Sequence, residues 1–179
     1  MARYVVLLRG VNVGRGNRVP MAEFRALLEE LGCTDVKTIL NSGNAVFTST
    51  IRSATALAKS IASAIAEAFD VTTPVIVKSA AQFAAIVDGN PIVPPDADHS
   101  KFLVTFAMVA KQIAALATLE AQRHPDERLA ITAHAAYLHC ARGILDSGMA
   151  KALLGKDGRS VTTRNWGTTL KIHALLGEG

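Results

Sequence analysis

The chain is predicted to be an α+β protein made of two β-α-β-β-α-β halves, each a ferredoxin-like (split βαβ) unit with an antiparallel sheet. Three observations lead there. Short apolar runs alternate with segments whose apolar residues recur at helical spacing. The order strand, helix, hairpin, helix, strand can be traced twice. Between the two passes lies NPIVPPDADHS (90–100), which holds three of the six prolines and marks a boundary. Residues 1–89 are then the first half with a connecting helix, and residues 101–179 the second half with a terminal helix.

Each element has a local reason. YVVLL (4–8) is β-rich and apolar on both faces, as a buried central strand must be. Pro20 stands where helices begin, and Met21, Phe24, Leu27, Leu28 and Leu31 form one apolar stripe that Gly32 ends. VKTIL (36–40), the turn NSGN (41–44) and AVFTS (45–49) form a hairpin. Residues 53–69 carry Leu57, Ile61, Ile65 and Phe69 at i, i+4 spacing, so they form a helix. TPVIVK (73–78) closes the first sheet and 79–88 forms a connecting helix. In the second half, strands are expected at 101–109, 127–133, 135–141 and 160–164, with helices at 111–122, 147–155 and 166–176. The repeat rests on element order, because residue identity between the halves is negligible.

Half of the 179 residues are hydrophobic, enough for a well-filled core, although much of that fraction is alanine. Cys33 and Cys140 are isolated and have the character of reduced, buried thiols. The apolar run after MAR is too short for a signal peptide. No stretch approaches the roughly 20 apolar residues of a membrane helix, and Lys59 and Lys111 interrupt the best candidates. The expectation is a cytoplasmic protein with no membrane partner. The net charge of +4 is unevenly spread. Arg3, Arg9, Arg15 and Arg18 precede the first acid, Glu23, and residues 142–173 are again basic. Such ends face anions or are simply solvated.

The stretch LRGVNVGRGNRVPM (8–21) is the first candidate site. In a split βαβ sheet the first two strands run parallel, so the loop after strand one and the tip of the hairpin meet at one sheet edge. The loop also enters a helix N-terminus, where amides and the macrodipole favour anions. Its spacing, G-x3-G-x-G, is neither the dinucleotide fingerprint nor a Walker loop. The plainer alternative is an irregular connection whose glycines satisfy turn geometry. The second candidate is VTTRNWGTTLK (161–171), with the only tryptophan. Arg164 and Trp166 together suit a planar anionic group, and Thr163 is a candidate helix cap. Otherwise Trp166 is a core plug.

The candidate ligand-binding residues are therefore Arg9, Asn12, Gly14, Arg18, Ser42, Asn44, Arg164, Asn165, Trp166 and Lys171. No metal or cofactor motif occurs: HExxH, GxSxG and Cys/His clusters are absent from the sequence. No paired carboxylates or covalent nucleophile stand out, which favours binding over catalysis. The leading reading is a binder of a phosphorylated or otherwise anionic small molecule. Three alternatives stay open: a module for nucleic-acid phosphate at the same edge, an enzyme whose base is a residue such as His134 or Glu23, and a structural or dimerising module. Base stacking on the first sheet is disfavoured, since strands one and three carry only Tyr4 and Phe47 as aromatics.

The strings LLRGVNVG, ILNSGNAVF and TTRNWGTTLK, in this order, resemble the bacterial family catalogued as domain of unknown function 1697. The resemblance runs over essentially the whole chain. It implies a soluble α/β protein, and the family carries no established activity. The family strings fall on Arg9, Gly10, Asn12, Val13, Gly14 and Asn17, on Ser42, Gly43 and Asn44, and on Thr163, Arg164, Asn165, Trp166 and Lys171. Two departures stand out. Ser147, Gly148, Met149 and Ala150 occupy the place of a serine–lysine–leucine–threonine string, and Gly167 stands where asparagine is usual.

Overall fold

Strand β1 (Ala2–Leu8) is the centre of the first sheet, and its composition explains why. Tyr4, Val6 and Leu8 alternate with Val5 and Leu7, and all five are buried. Five consecutive buried apolar residues mark a strand covered on both faces. A computed structural model describes residues 1–178 of the chain.

The chain divides into two units: Met1–Phe83 together with the residues from Ile172 on, and Ala84–Lys171. In the first, β1 is followed by α1 (Met21–Glu30), β2 (Thr34–Ile39), β3 (Asn44–Ser49), α2 (Ala54–Phe69), β4 (Val75–Ser79) and α3 (Ala80–Asp88), which runs on past the dividing point. The sheet order is β2-β3-β1-β4, with every neighbouring pair antiparallel. In the second, β5 (Phe102–Phe106), α4 (Ala110–Ala114), β6 (Arg128–Ile131), β7 (Ala136–His139), α5 (Gly148–Leu154) and β8 (Thr162–Asn165) give the order β6-β7-β5-β8, again antiparallel throughout. Helix α6 (Trp166–Gly177) begins in the second unit and ends in the first. Both sheets thus have the ferredoxin-like order expected from the twofold element pattern. No helix among the described residues is long and apolar enough to cross a membrane.

Local chemistry sets the boundaries. Helix α1 buries Phe24, Leu27 and Leu28 and stops in a Schellman motif. There Cys33 N donates to Leu28 O at 3.0 Å and Gly32 N to Glu29 O at 3.0 Å, with Gly32 at φ +82°. Helix α2 is capped by Ser53, whose side chain accepts from Ala56 N, and ends at Asp70 in the left-handed region. In the second unit the core gathers Leu103 and Leu138 from the sheet with Ile113, Leu116, Leu119, Met149 and Leu153.

Two local expectations are corrected. The helix expected over 111–122 is α-helical only to Ala114 and continues as a 3-10 helix over Ala115–Gln122. The buried residues explain the change: Ile113, Leu116 and Leu119 recur every three residues. Three residues per turn is the 3-10 period, so tightening the helix keeps all three on the core. The hairpin turn is also one residue earlier than expected. Leu40 adopts φ +57° and is exposed, so the turn comprises residues 40–43. Asn44 becomes the first residue of β3, paired with Ile39 and Leu7.

The stretch between the units' strands carries one carboxylate of note. Asp98 Oδ2 lies 2.9 Å from His139 Nε2, and Lys101 Nζ lies 3.4 Å from Asp98 Oδ1. The hydrogen bond from His139 chiefly, then Lys101, holds the Asp98 carboxyl below its ordinary range. Its stabilisation is therefore present above about pH 4, the unfolded aspartate value, and is lost as pH falls through the lower folded value. Asp98→Asn should cost stability at neutral pH. Acid titration followed by circular dichroism should show wild type and variant converging at low pH; a gap that persists there would refute the assignment.

Candidate functional site

The loop from Arg9 to Pro20 meets the β2–β3 turn at the end of β1, as the parallel run of β1 and β2 requires. Leu8 N donates to Gly43 O at 2.9 Å, and Asn12 Nδ2 donates to Asn41 O at 2.8 Å. Gly43 has φ +78°, and a Cβ there would lie 2.7 Å from both Leu8 Cβ and Val11 Cγ2. Glycine is thus demanded by space as well as by conformation.

Asn12 organises the loop. Its Nδ2 also donates to Val19 O at 2.8 Å, while its Oδ1 accepts from Val19 N at 2.9 Å. Asn12 N donates to Asn17 O, and Asn17 Nδ2 donates back to Gly10 O. Both asparagines sit at positive φ, +57° and +49°, which asparagine tolerates better than most residues. The loop is therefore tied across its own base and to the hairpin. At its far side Arg9 N donates to Pro74 O, and Thr73 Oγ1 donates to Arg9 O.

This framework borders a cleft of about 420 Å3 lined by Asn12, Arg18, Pro20, Met21 and Asn41. Pro20 precedes α1 with no side-chain cap on the helix N-terminus. Arg15, Arg18, Gly14 and Asn41 are exposed, whereas Arg9 is half-buried and its guanidinium is pushed down by desolvation. Ser42 is half-buried and accepts from Asn44 Nδ2 at 3.0 Å. Asn44 itself is fully buried and also donates to Ile39 O at 2.9 Å. Its amide closes the hairpin. Asn41, rather than Asn44, lines the cleft. The register slip of one residue makes that exchange, and it was visible only in Leu40 accepting a left-handed conformation.

The second string lies in the other unit up to Lys171. Arg164 is 8% exposed, and burial pushes its guanidinium down to about 10. Its Nη1 donates to Thr162 Oγ1 at 2.8 Å and to Thr163 O at 2.7 Å. Trp166 is buried and sits edge-on against Phe102, ring centres 5.6 Å apart. Helix α6 is capped by Asn165, whose Oδ1 accepts from Thr168 N at 2.8 Å. The cap expected at Thr163 moves because β8 runs on through Asn165. Lys171 is exposed.

Chemically, the cleft offers a guanidinium, carboxamides and helix amides. Its lining includes no histidine, carboxylate or cysteine to carry a proton or form a covalent bond. Of the residues considered for a base, Glu23 is exposed on the first turn of α1 and His134 is exposed at the β6–β7 turn of the second unit. Among the described residues no group of three or more His, Cys, Asp or Glu is placed to hold a metal ion.

Two ferredoxin-like halves with a tied glycine–asparagine loop define a class of α+β protein. Within it, the chain belongs to the family of proteins of unknown function DUF1697, whose model matches residues 1–137. A solved structure of SP0830, a conserved bacterial protein from Streptococcus pneumoniae, is similar over 98% of both chains, with 28% identity and a TM-score of 0.80. No curated protein matches the chain.

Proposed function

We propose that the first unit binds a small phosphorylated or otherwise anionic molecule in the cleft beside Arg18. The observation that carries this reading is the Asn12 tie, which holds an arginine-bearing loop over a helix start that lacks a side-chain cap. The ligand replaces the missing cap, accepting from the first-turn amides of α1 and from Arg18. Asn41 is the neighbouring contact on the cleft wall, and Arg9, the Gly14 backbone and Ser42 are proposed as contacts from the same loop and turn. Asn12 and Asn44 act as framework. In the second unit Arg164, Asn165 and Trp166 are read as framework too, with Lys171 as solvated charge.

A thermal-shift and calorimetric screen of inorganic phosphate, pyrophosphate, nucleotides and sugar phosphates tests the reading. At least one should stabilise the protein, and Arg18→Ala should weaken it roughly tenfold, the usual worth of one charge-assisted hydrogen bond. Glu23→Gln should tighten binding slightly by removing a like charge from the first turn. Failure of every anion at millimolar concentration would defeat the proposal. Tighter binding of single-stranded RNA, with affinity collapsing as salt rises, would replace it with the nucleic-acid reading.

A further inference from the structure

The cleft beside Arg18 has a wall that a bare anion would leave unused. The chain has six asparagines. The side chains of Asn12, Asn17, Asn44, Asn90 and Asn165 all form hydrogen bonds within the protein. That of Asn41 forms none among the described residues, and Asn41 lines the cleft. We propose that the anion bound there is a nucleoside monophosphate. Its phosphate lies on Arg18 and the start of α1, and its base on Asn41 and Met21. This rests on the anion reading above and names what the anion carries.

Asn41 is held ready for a ligand. Its carbonyl oxygen accepts from Asn12 Nδ2 at 2.8 Å, so the backbone is fixed while the carboxamide is uncommitted. Such preorganisation lowers the ordering cost of binding. A carboxamide presents a donor and an acceptor side by side in one plane. The amino group and adjoining ring nitrogen of adenine match both at once.

The rest of the lining suits a flat ring. Pro20 and Met21 are its apolar part. Met21 is half-buried, and its sulfur lies 3.8 Å from Asn12 Nδ2. A thioether packs well on an aromatic ring and is a weak partner for sugar hydroxyls. Arg18 is exposed and forms no ion pair among the described residues, so its guanidinium is available to the phosphate. The volume of about 420 Å3 falls within the range of small-molecule sites, about 300–1,000 Å3, and a phosphate group alone leaves most of it empty.

Calorimetric titration of the full chain with inorganic phosphate, ribose 5-phosphate and AMP tests this. AMP should bind roughly tenfold tighter than ribose 5-phosphate. Asn41→Ala keeps the backbone carbonyl that Asn12 holds, and should bring AMP to within about twofold of ribose 5-phosphate. Arg18→Ala should weaken both and preserve their ratio. Equal affinity of the two ligands, or a preference for AMP untouched by Asn41→Ala, would overturn the nucleoside assignment and leave the anion reading standing. Failure of all three ligands at about 10 mM would remove both.

Discussion

Gly43→Ala is expected to destabilise the first unit by about 2–5 kcal/mol. Two separate costs add. The first is backbone strain, because φ +78° is a conformation that a Cβ disfavours by about 1–2 kcal/mol. The second is overlap. The new methyl would sit 2.7 Å from Leu8 Cβ and from Val11 Cγ2, both on fully buried side chains. Leu8 Cβ is fixed to the central strand and cannot rotate away, so the hairpin must move. Forced overpacking of this kind costs about 1–3 kcal/mol. Gly10→Ala is the matched control. Its φ is +60°, but nothing lies within 4 Å of the added Cβ, so only the strain of about 1–2 kcal/mol applies. Hydrogen exchange at β1 and β3 amides reads the first unit by itself, which a single melting temperature for a two-unit chain does not. Equal protection in the two variants would show that conformation alone, not space, requires glycine at 43.

The same residue shows where sequence reasoning succeeds and where it stops. The order of strands and helices was legible because each element's periodicity is local: the doubly apolar β1, the Leu57–Ile61–Ile65 stripe, the Pro20 start and the Gly32 stop. The meeting of loop and hairpin was legible because antiparallel pairing of β1 and β2 with β3 follows from the element order. The one-residue shift at Leu40 was not, since glycine and asparagine are the residues that usually mark left-handed positions and leucine does not. The 3-10 run was encoded in the spacing of Ile113, Leu116 and Leu119, but three residues also falls within the range of an α-helical face. Glu127 takes its carboxylate hydrogen bond from His124 N, three residues before it, but a single buried acid in a turn leaves no periodicity to read.

The role of Asn12 was hidden for the same reason, and it yields the second large effect. Asparagine in a glycine-rich loop beside arginines has the look of a ligand contact. Its carboxamide instead bonds Val19 N, Val19 O and Asn41 O, two of them on a residue that is fully buried. Asn12→Asp keeps the acceptor for Val19 N but turns the donating end into an oxygen facing two carbonyl oxygens. Asn12→Ala simply vacates the position, and the exposed Asn41 carbonyl can turn to water while those of Val19 cannot. Both should loosen the loop: alanine by about 2–4 kcal/mol, from two buried Val19 groups left unmatched at about 1–3 kcal/mol each, and aspartate by more, because a charged oxygen set against two carbonyl oxygens adds to the unmatched Val19 O. The measurement is exchange of the amides from Gly10 to Val19, which should accelerate while those of α2 hold. The near-isosteric change being the worse one is the distinguishing outcome; a milder effect for aspartate would mean water enters the loop base and the tie is dispensable. The same variants also divide charge from order in the proposed site. Arg18→Ala removes a cation, so anion binding should weaken and lose part of its salt dependence. Asn12→Ala leaves every cation in place, so binding should weaken with its salt dependence intact, because the ligand must then order a loop that the wild-type chain holds ready.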